Sequence, residues 1–204
     1  MKNVRHIIAS DIIGIDAINH DFFPLDGIYG WSDLKKDIAE EEEILEEISG
    51  IENEDEREEV ATEMLLDRGL HFEAGVCAAT WALTLTGCFT TMSCGGHKKT
   101  DARDRVNPII VFYLAPELLA VLSRLVLKSG LVLDDVVSEG MIPAGGHEPV
   151  CVIDPNGSSK AMLELAKAIF ADRLAIEAIG ERRFAMPKAE FKRFVKRWDA
   201  VYGQ

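Results

Sequence analysis

The sequence predicts an α+β protein, and three observations carry that expectation. Helix-period apolar stretches give way after residue 87 to short runs rich in β-formers, glycine and proline stand at the junctions, and one arrangement of elements occurs twice. In each copy a helix ends in Thr86-Gly87 or Ser129-Gly130, and a strand, a Gly-Gly-His turn, a proline, an apolar strand and a second proline follow. The prolines are Pro108 and Pro116 in the first copy, Pro149 and Pro155 in the second. Two such ββα units are expected to form a four-stranded antiparallel sheet with helices on one face, and a circularly permuted ferredoxin-like arrangement would pair them.

The elements follow in order. The first thirty residues hold a short apolar pattern and then FFPLDGIYG, a turn-rich connection around Pro24. From Trp31 to Ser49 the residues Trp31, Leu34, Ile38, Leu45 and Ile48 recur at helical spacing, with Glu41 interrupting the stripe and Gly50 ending it. Asn53 is the candidate N-cap of a second acidic helix over 54–68, with acids in its first turn and Gly69 at its end. These helices make up an N-terminal region, 1–69. EAGVCAATWALTLTG, residues 73–87, is apolar nearly all round and suits a helix buried against a sheet. Strands over 88–93, 108–114, 131–137 and 150–154, with helices over 116–130 and 158–175, complete a duplicated core spanning 70–180. The last segment, 181–204, contains an amphipathic helix that starts near Pro187. It sets Phe191, Phe194 and Trp198 against Lys188, Lys192, Arg193, Lys196 and Arg197.

Composition bounds the function. A chain of 204 residues, 48% of them apolar, can bury a sizeable core. Nothing near residue 1 reads as a secretory signal, and no apolar run approaches the ~20 residues that span a bilayer, so a cytoplasmic location is expected. Cys77, Cys88, Cys94 and Cys151 are scattered through apolar surroundings and read as reduced thiols. The net charge of −13 disfavours nucleic acid and anionic membranes as partners. Charge is also unevenly placed: residues 31–60 hold 14 acidic and three basic side chains, while 181–204 hold seven basic and three acidic. Segments 31–60 and 186–204 are therefore expected to meet, within the chain, in a homo-oligomer or through a protein partner.

Chemistry concentrates at Ser93-Cys94-Gly95-Gly96-His97. Glycines let backbone amides turn toward an anion, and Lys98, Lys99, Arg103 and Arg105 follow at once, which points to a phosphorylated or nucleotide-like ligand. Cys94 with His97 as base is a candidate nucleophile pair. Cys94 and His97 also make half a zinc site, but His147 and Cys151 complete it poorly. Four positions along a strand separate those two by roughly 13 Å at about 3.3 Å per residue. No metal is expected, and no cofactor is specified by these residues. The bland alternative is an exposed hairpin turn, with the protein a non-catalytic assembly module built on its acidic and basic helices.

The stretch TTMSCGGH, between an apolar helix and a strand, resembles two families over about residues 70–140. Thr90, Thr91, Ser93, Cys94 and Gly96 match a Thr-Thr-Ser-Ser-Cys-Ser-Gly segment of the third enzyme of wybutosine synthesis. Ser93, Cys94, Gly96 and His97 match the Ser-Cys-x-Gly-His motif of a group of small bacterial proteins. The first resemblance implies S-adenosylmethionine-dependent methylation of a tRNA base. The acidic charge, and the absence of a counterpart to residues 1–69, depart from that pattern. The expectation for function is thus a ligand site at residues 93–105, in a nucleotide- or RNA-modifying enzyme.

Overall fold

Residues 29–70, 72–96, 107–135, 149–157 and 159–179, with Arg193 and Lys196, are described by a computed structural model. Helix α1, Trp31–Glu47, forms where the first apolar stripe was read, and Leu34, Ile38 and Ile44 are buried along it. Its first turn is closed by Asp33, whose Oδ2 accepts the Gly30 N–H at 2.7 Å. A 3-10 turn, Ile48–Gly50, leads to helix α2, Glu54–Asp67. Asn53 caps α2 as expected: its Oδ1 accepts from the amides of Asp55 at 3.0 Å and Glu56 at 3.3 Å.

Helix α3, Cys77–Leu85, is buried at every residue from Cys77 to Leu83. It starts four residues later than its composition suggests, because Gly75 sits at φ +90° and cannot be helical. Strands β1 (Phe89–Cys94) and β2 (Ile109–Tyr113) follow. Next come helix α4 (Pro116–Lys128, with its proline in the first turn), strand β3 (Val132–Asp135) and strand β4 (Val150–Ile153). The single helix expected over 158–175 is two: α5, Lys160–Ala171, and α6, Arg173–Ala178, with the break at Asp172.

The fold is α+β, with a four-stranded antiparallel sheet among the described residues in the order β1-β2-β4-β3. Pairing of β1 with β2 slips between Thr90 and Met92, a bulge that no sequence signal marked. In register, Ile110 faces Val152 and Phe112 faces Val150. These four join the helices in one apolar core. Within it α3 packs on α5, and α1 lies across both. The alternate residues of the central strands, Val111, Tyr113 and Cys151, are buried as well, so β2 and β4 are closed on both faces. This accounts for the unbroken apolar run of β2, which lacks the alternation of a half-exposed strand.

Acidic charge on α1 finds partners inside the described residues. Glu42 pairs with Lys167 of α5 at 2.5 Å and Glu43 with Arg68 at 2.9 Å. Of the expected C-terminal helix, Arg193 and Lys196 are helical and exposed. The rest of 181–204, like residues 1–28, lies outside the described residues.

Candidate functional site

A cleft of about 350 Å³ opens at the end of the sheet where β1 stops and β2 starts. Six separate stretches of chain build it, one of them Pro108 just before β2. The end of α1 and the following turn give Leu45, Ile48 and Ser49, and α2 adds Glu54, Arg57, Glu58, Ala61 and Thr62. The loop before α3 gives Glu73 and Ala74, and Gly95 and Gly96 follow β1. Gly157, Ser159 and Lys160 come from the turn that starts α5. Its lining is part aliphatic and part polar, with the carboxylates of Glu54, Glu58 and Glu73 and the cations of Arg57 and Lys160, of which Arg57 pairs with Glu54 at 3.4 Å.

The loops meet tightly at its floor. Ser159 is the one non-glycine residue at positive φ (59°) among the described residues, and its Cβ occupies the space beside Gly75. A Cβ on Gly75 would stand 2.2 Å from that of Ser159, and one on Gly95 would stand 2.7 Å from the Ala74 carbonyl. Both glycines are therefore required by close approach of three loops, Gly75 by its backbone angle as well. The Gly95 N–H donates to Glu73 Oε2 at 2.5 Å, and the Ser159 hydroxyl reaches the Gly95 carbonyl at 3.4 Å. Asp154 is buried below, accepting from the Asn156 amide at 2.9 Å and shaping the turn into α5.

Of the residues singled out in the sequence, Gly95 and Gly96 border the cleft. Ser93 and Cys94 form the end of β1, with Ser93 level with Ile110 and Cys94 with Ile109. Burial pushes the Cys94 thiol up from its ordinary value, and the charge of Glu73, a hydrogen bond with its side chain and the charge of Glu58 push it the same way, against a hydrogen bond from the Gly96 amide. This environment favours the thiol over the thiolate. None of the four cysteines is in a disulfide, and Cys151 is buried in β4, two strands away from Cys94. His97, Lys98, Lys99, Arg103, Arg105 and His147 lie outside the described residues. The strand ends flanking the two Gly-Gly-His segments are described, and they differ. Cys94 and Ile109 stand level with Ile153, whereas Val150, the partner of Asp135, is level with Phe112 at the other end of the sheet.

Two acidic features were not recognised as structural from sequence. Glu41, the interruption in the α1 stripe, is 1% exposed, and its carboxylate accepts the amides of Gly75 (2.7 Å), Cys77 (3.0 Å) and Ala78 (2.9 Å). It caps α3 from a different helix, in place of the side-chain cap that Val76 cannot give. Burial pushes Glu41 up to about 7, against the lowering effect of those three amides. Nearby, the Tyr29 hydroxyl donates to Asp37 at 2.5 Å while its ring stacks on Trp81 at 4.4 Å. Burial raises both groups above their ordinary values. A carboxylate within an apolar stripe was the available signal for Glu41.

Among the described residues no group of three or more histidine, cysteine, aspartate or glutamate side chains is placed to hold a metal ion. No described helix is long and apolar enough to cross a membrane. No protein-family model, curated protein or solved structure matches the chain.

Proposed function

We propose that the chain binds a small phosphorylated or nucleotide-like molecule in the cleft bordered by Gly95 and Gly96. One observation carries this reading: the glycine loop chosen for its chemistry in the sequence lines a cleft at the low end of the size range of small-ligand sites, about 300–1,000 Å³. Arg57 and Lys160 supply positive charge to an oxyanion, and Lys160 stands in the first turn of α5, where the helix dipole favours an anion. Ser49, Thr62 and Ser159 offer hydroxyls. Leu45, Ile48 and Ala61 give the ligand's less polar part an aliphatic wall. The Glu54, Glu58 and Glu73 carboxylates favour a ligand that also carries hydrogen-bond donors, such as the amino groups of a nucleobase. Ser93 and Cys94 end β1 just before Gly95, and the resemblance of TTMSCGGH to a methyltransferase segment brings S-adenosylmethionine into the same class of ligand. Cysteines without a disulfide suit the reducing cytosol, where such a protein would work.

The core is further proposed to be a duplicated ββα unit of permuted ferredoxin-like topology. Supporting this, each pair of strands is followed by a helix, and a two-fold rotation between β2 and β4 exchanges β1 with β3. Under that symmetry Val150, where the strand after the second Gly-Gly-His begins, stands at the other end of the sheet from Cys94, and the second segment serves as a control for the first.

Isothermal titration with nucleoside phosphates and with S-adenosylmethionine tests the ligand reading. Heat is expected with at least one of them, and Lys160→Ala should weaken that binding roughly ten-fold, the scale of one charge-assisted contact. No heat from any of them at millimolar ligand would overturn it.

A further inference from the structure

The amides of the glycine loop are already engaged. Gly95 N–H donates to Glu73 Oε2 at 2.5 Å, and the Gly96 amide turns back to the Cys94 sulfur. The Gly95 contact is exposed, and both its partners line the cleft. A carboxylate from the loop before α3 thus sits on the donor that an incoming oxyanion would seek.

We propose that Glu73 is an internal stand-in for the ligand's oxyanion, a latch that holds Gly95 until a phosphate group displaces it. This rests on the cleft being the ligand site, and it adds the residue that controls entry. Three observations support it. The glycine loop is drawn hard against the latch: a Cβ on Gly95 would meet the Ala74 carbonyl at 2.7 Å and Glu73 Oε2 at 3.1 Å. The backbone that carries Glu73 is itself fixed two residues later, where Gly75 donates to the buried Glu41 at 2.7 Å. Release of Gly95 needs rotation of the Glu73 side chain, which also gives up its hydrogen bond with the Cys94 thiol, while the backbone of that loop stays in place. Lastly, the cations a phosphate would reach line the same cleft as the latch: Lys160, and Arg57, which is paired with Glu54 at 3.4 Å. Backbone amides and cations together make a phosphate site, and a glutamate carboxylate imitates the phosphate at the amide alone.

The test is titration of isotope-labelled protein with inorganic phosphate, following the Gly95 amide resonance and the dissociation constant. In the wild type the Gly95 resonance should move with phosphate. Glu73→Ala should bind phosphate about ten-fold more tightly, and Glu73→Gln, which keeps an acceptor but loses the charge, should fall between. Glu58→Ala removes the same charge from the cleft without touching Gly95, and should gain less than half as much on a logarithmic scale. An equal gain in Glu58→Ala would reduce Glu73 to general repulsion and overturn the latch. So would unchanged affinity in both Glu73 variants while the wild type binds, a result that leaves the ligand reading standing. Failure of all four proteins to bind phosphate would overturn both. The amide spectrum reports folding, and Glu73→Gln, the isosteric change, decides the matter if Glu73→Ala does not fold.

Discussion

Glu41 shows how one side chain can carry the order of a whole junction. Its carboxylate supplies the acceptors for three amides at the start of α3, and without them those donors would be buried and unmatched. Glu41→Ala is therefore expected to destabilise the protein by about 3 kcal/mol, read from the urea midpoint. The same group makes stability depend on pH. Its affinity for a proton is higher in the folded protein, about 7 against an ordinary 4.5, so its contribution is full below about pH 4.5. That contribution is lost as the pH rises to 7, a fall of about 3 kcal/mol at most. Asp37, also raised, acts in the same sense. Melting temperatures should fall from pH 5 to pH 7.5 in the wild type and fall less in Glu41→Gln, and equal slopes would show that Glu41 does not titrate there. Gly75 is the second sensitive position. Gly75→Ala places a methyl group against Ser159 at an angle alanine resists, and should cost more than about 2 kcal/mol.

At the scale of elements, local signals and long-range ones part company. Asn53, Gly69 and Pro116 marked helix ends correctly because each acts on neighbours within a few residues. Asn53→Ala should cost about 1 kcal/mol, most visibly as loss of amide protection in the first turn of α2. The start of α3, the break at Asp172 and the β1 bulge were not legible. The α3 start follows the left-handed Gly75, whose amide a distant carboxylate receives, and the bulge belongs to the register of β1 with β2. The cleft was half legible. Its glycine loop stood out as chemistry, but its other walls come from α1, α2 and the turn into α5, stretches whose proximity no local pattern encodes. Nothing local marks Glu73, because an isolated glutamate before a helix has many ordinary uses.

For the molecule as a whole, the position of β2 governs how it should open. This strand is paired on both edges and buried on both faces, while β1 and β3 each have a single neighbour among the described residues. Native-state hydrogen exchange is expected to be slowest at Ile110–Phe112 and faster by at least ten-fold in β3, and the reverse ranking would contradict the described strand order. The α1 residues Leu34, Ile38 and Ile44 share one core with Ile110 and Phe112, so the fluorescence of Trp81 and the far-ultraviolet dichroism should be lost in a single transition.

The cap on α3 also has an order in time. Glu41 leaves the ribosome more than thirty residues ahead of the amides it receives, so the acceptor is already present when α3 first forms. Ser159, which completes the floor of the cleft, is made more than eighty residues after Gly75. The helix can thus be secured early in synthesis, while the cleft is finished only when most of the chain has been made.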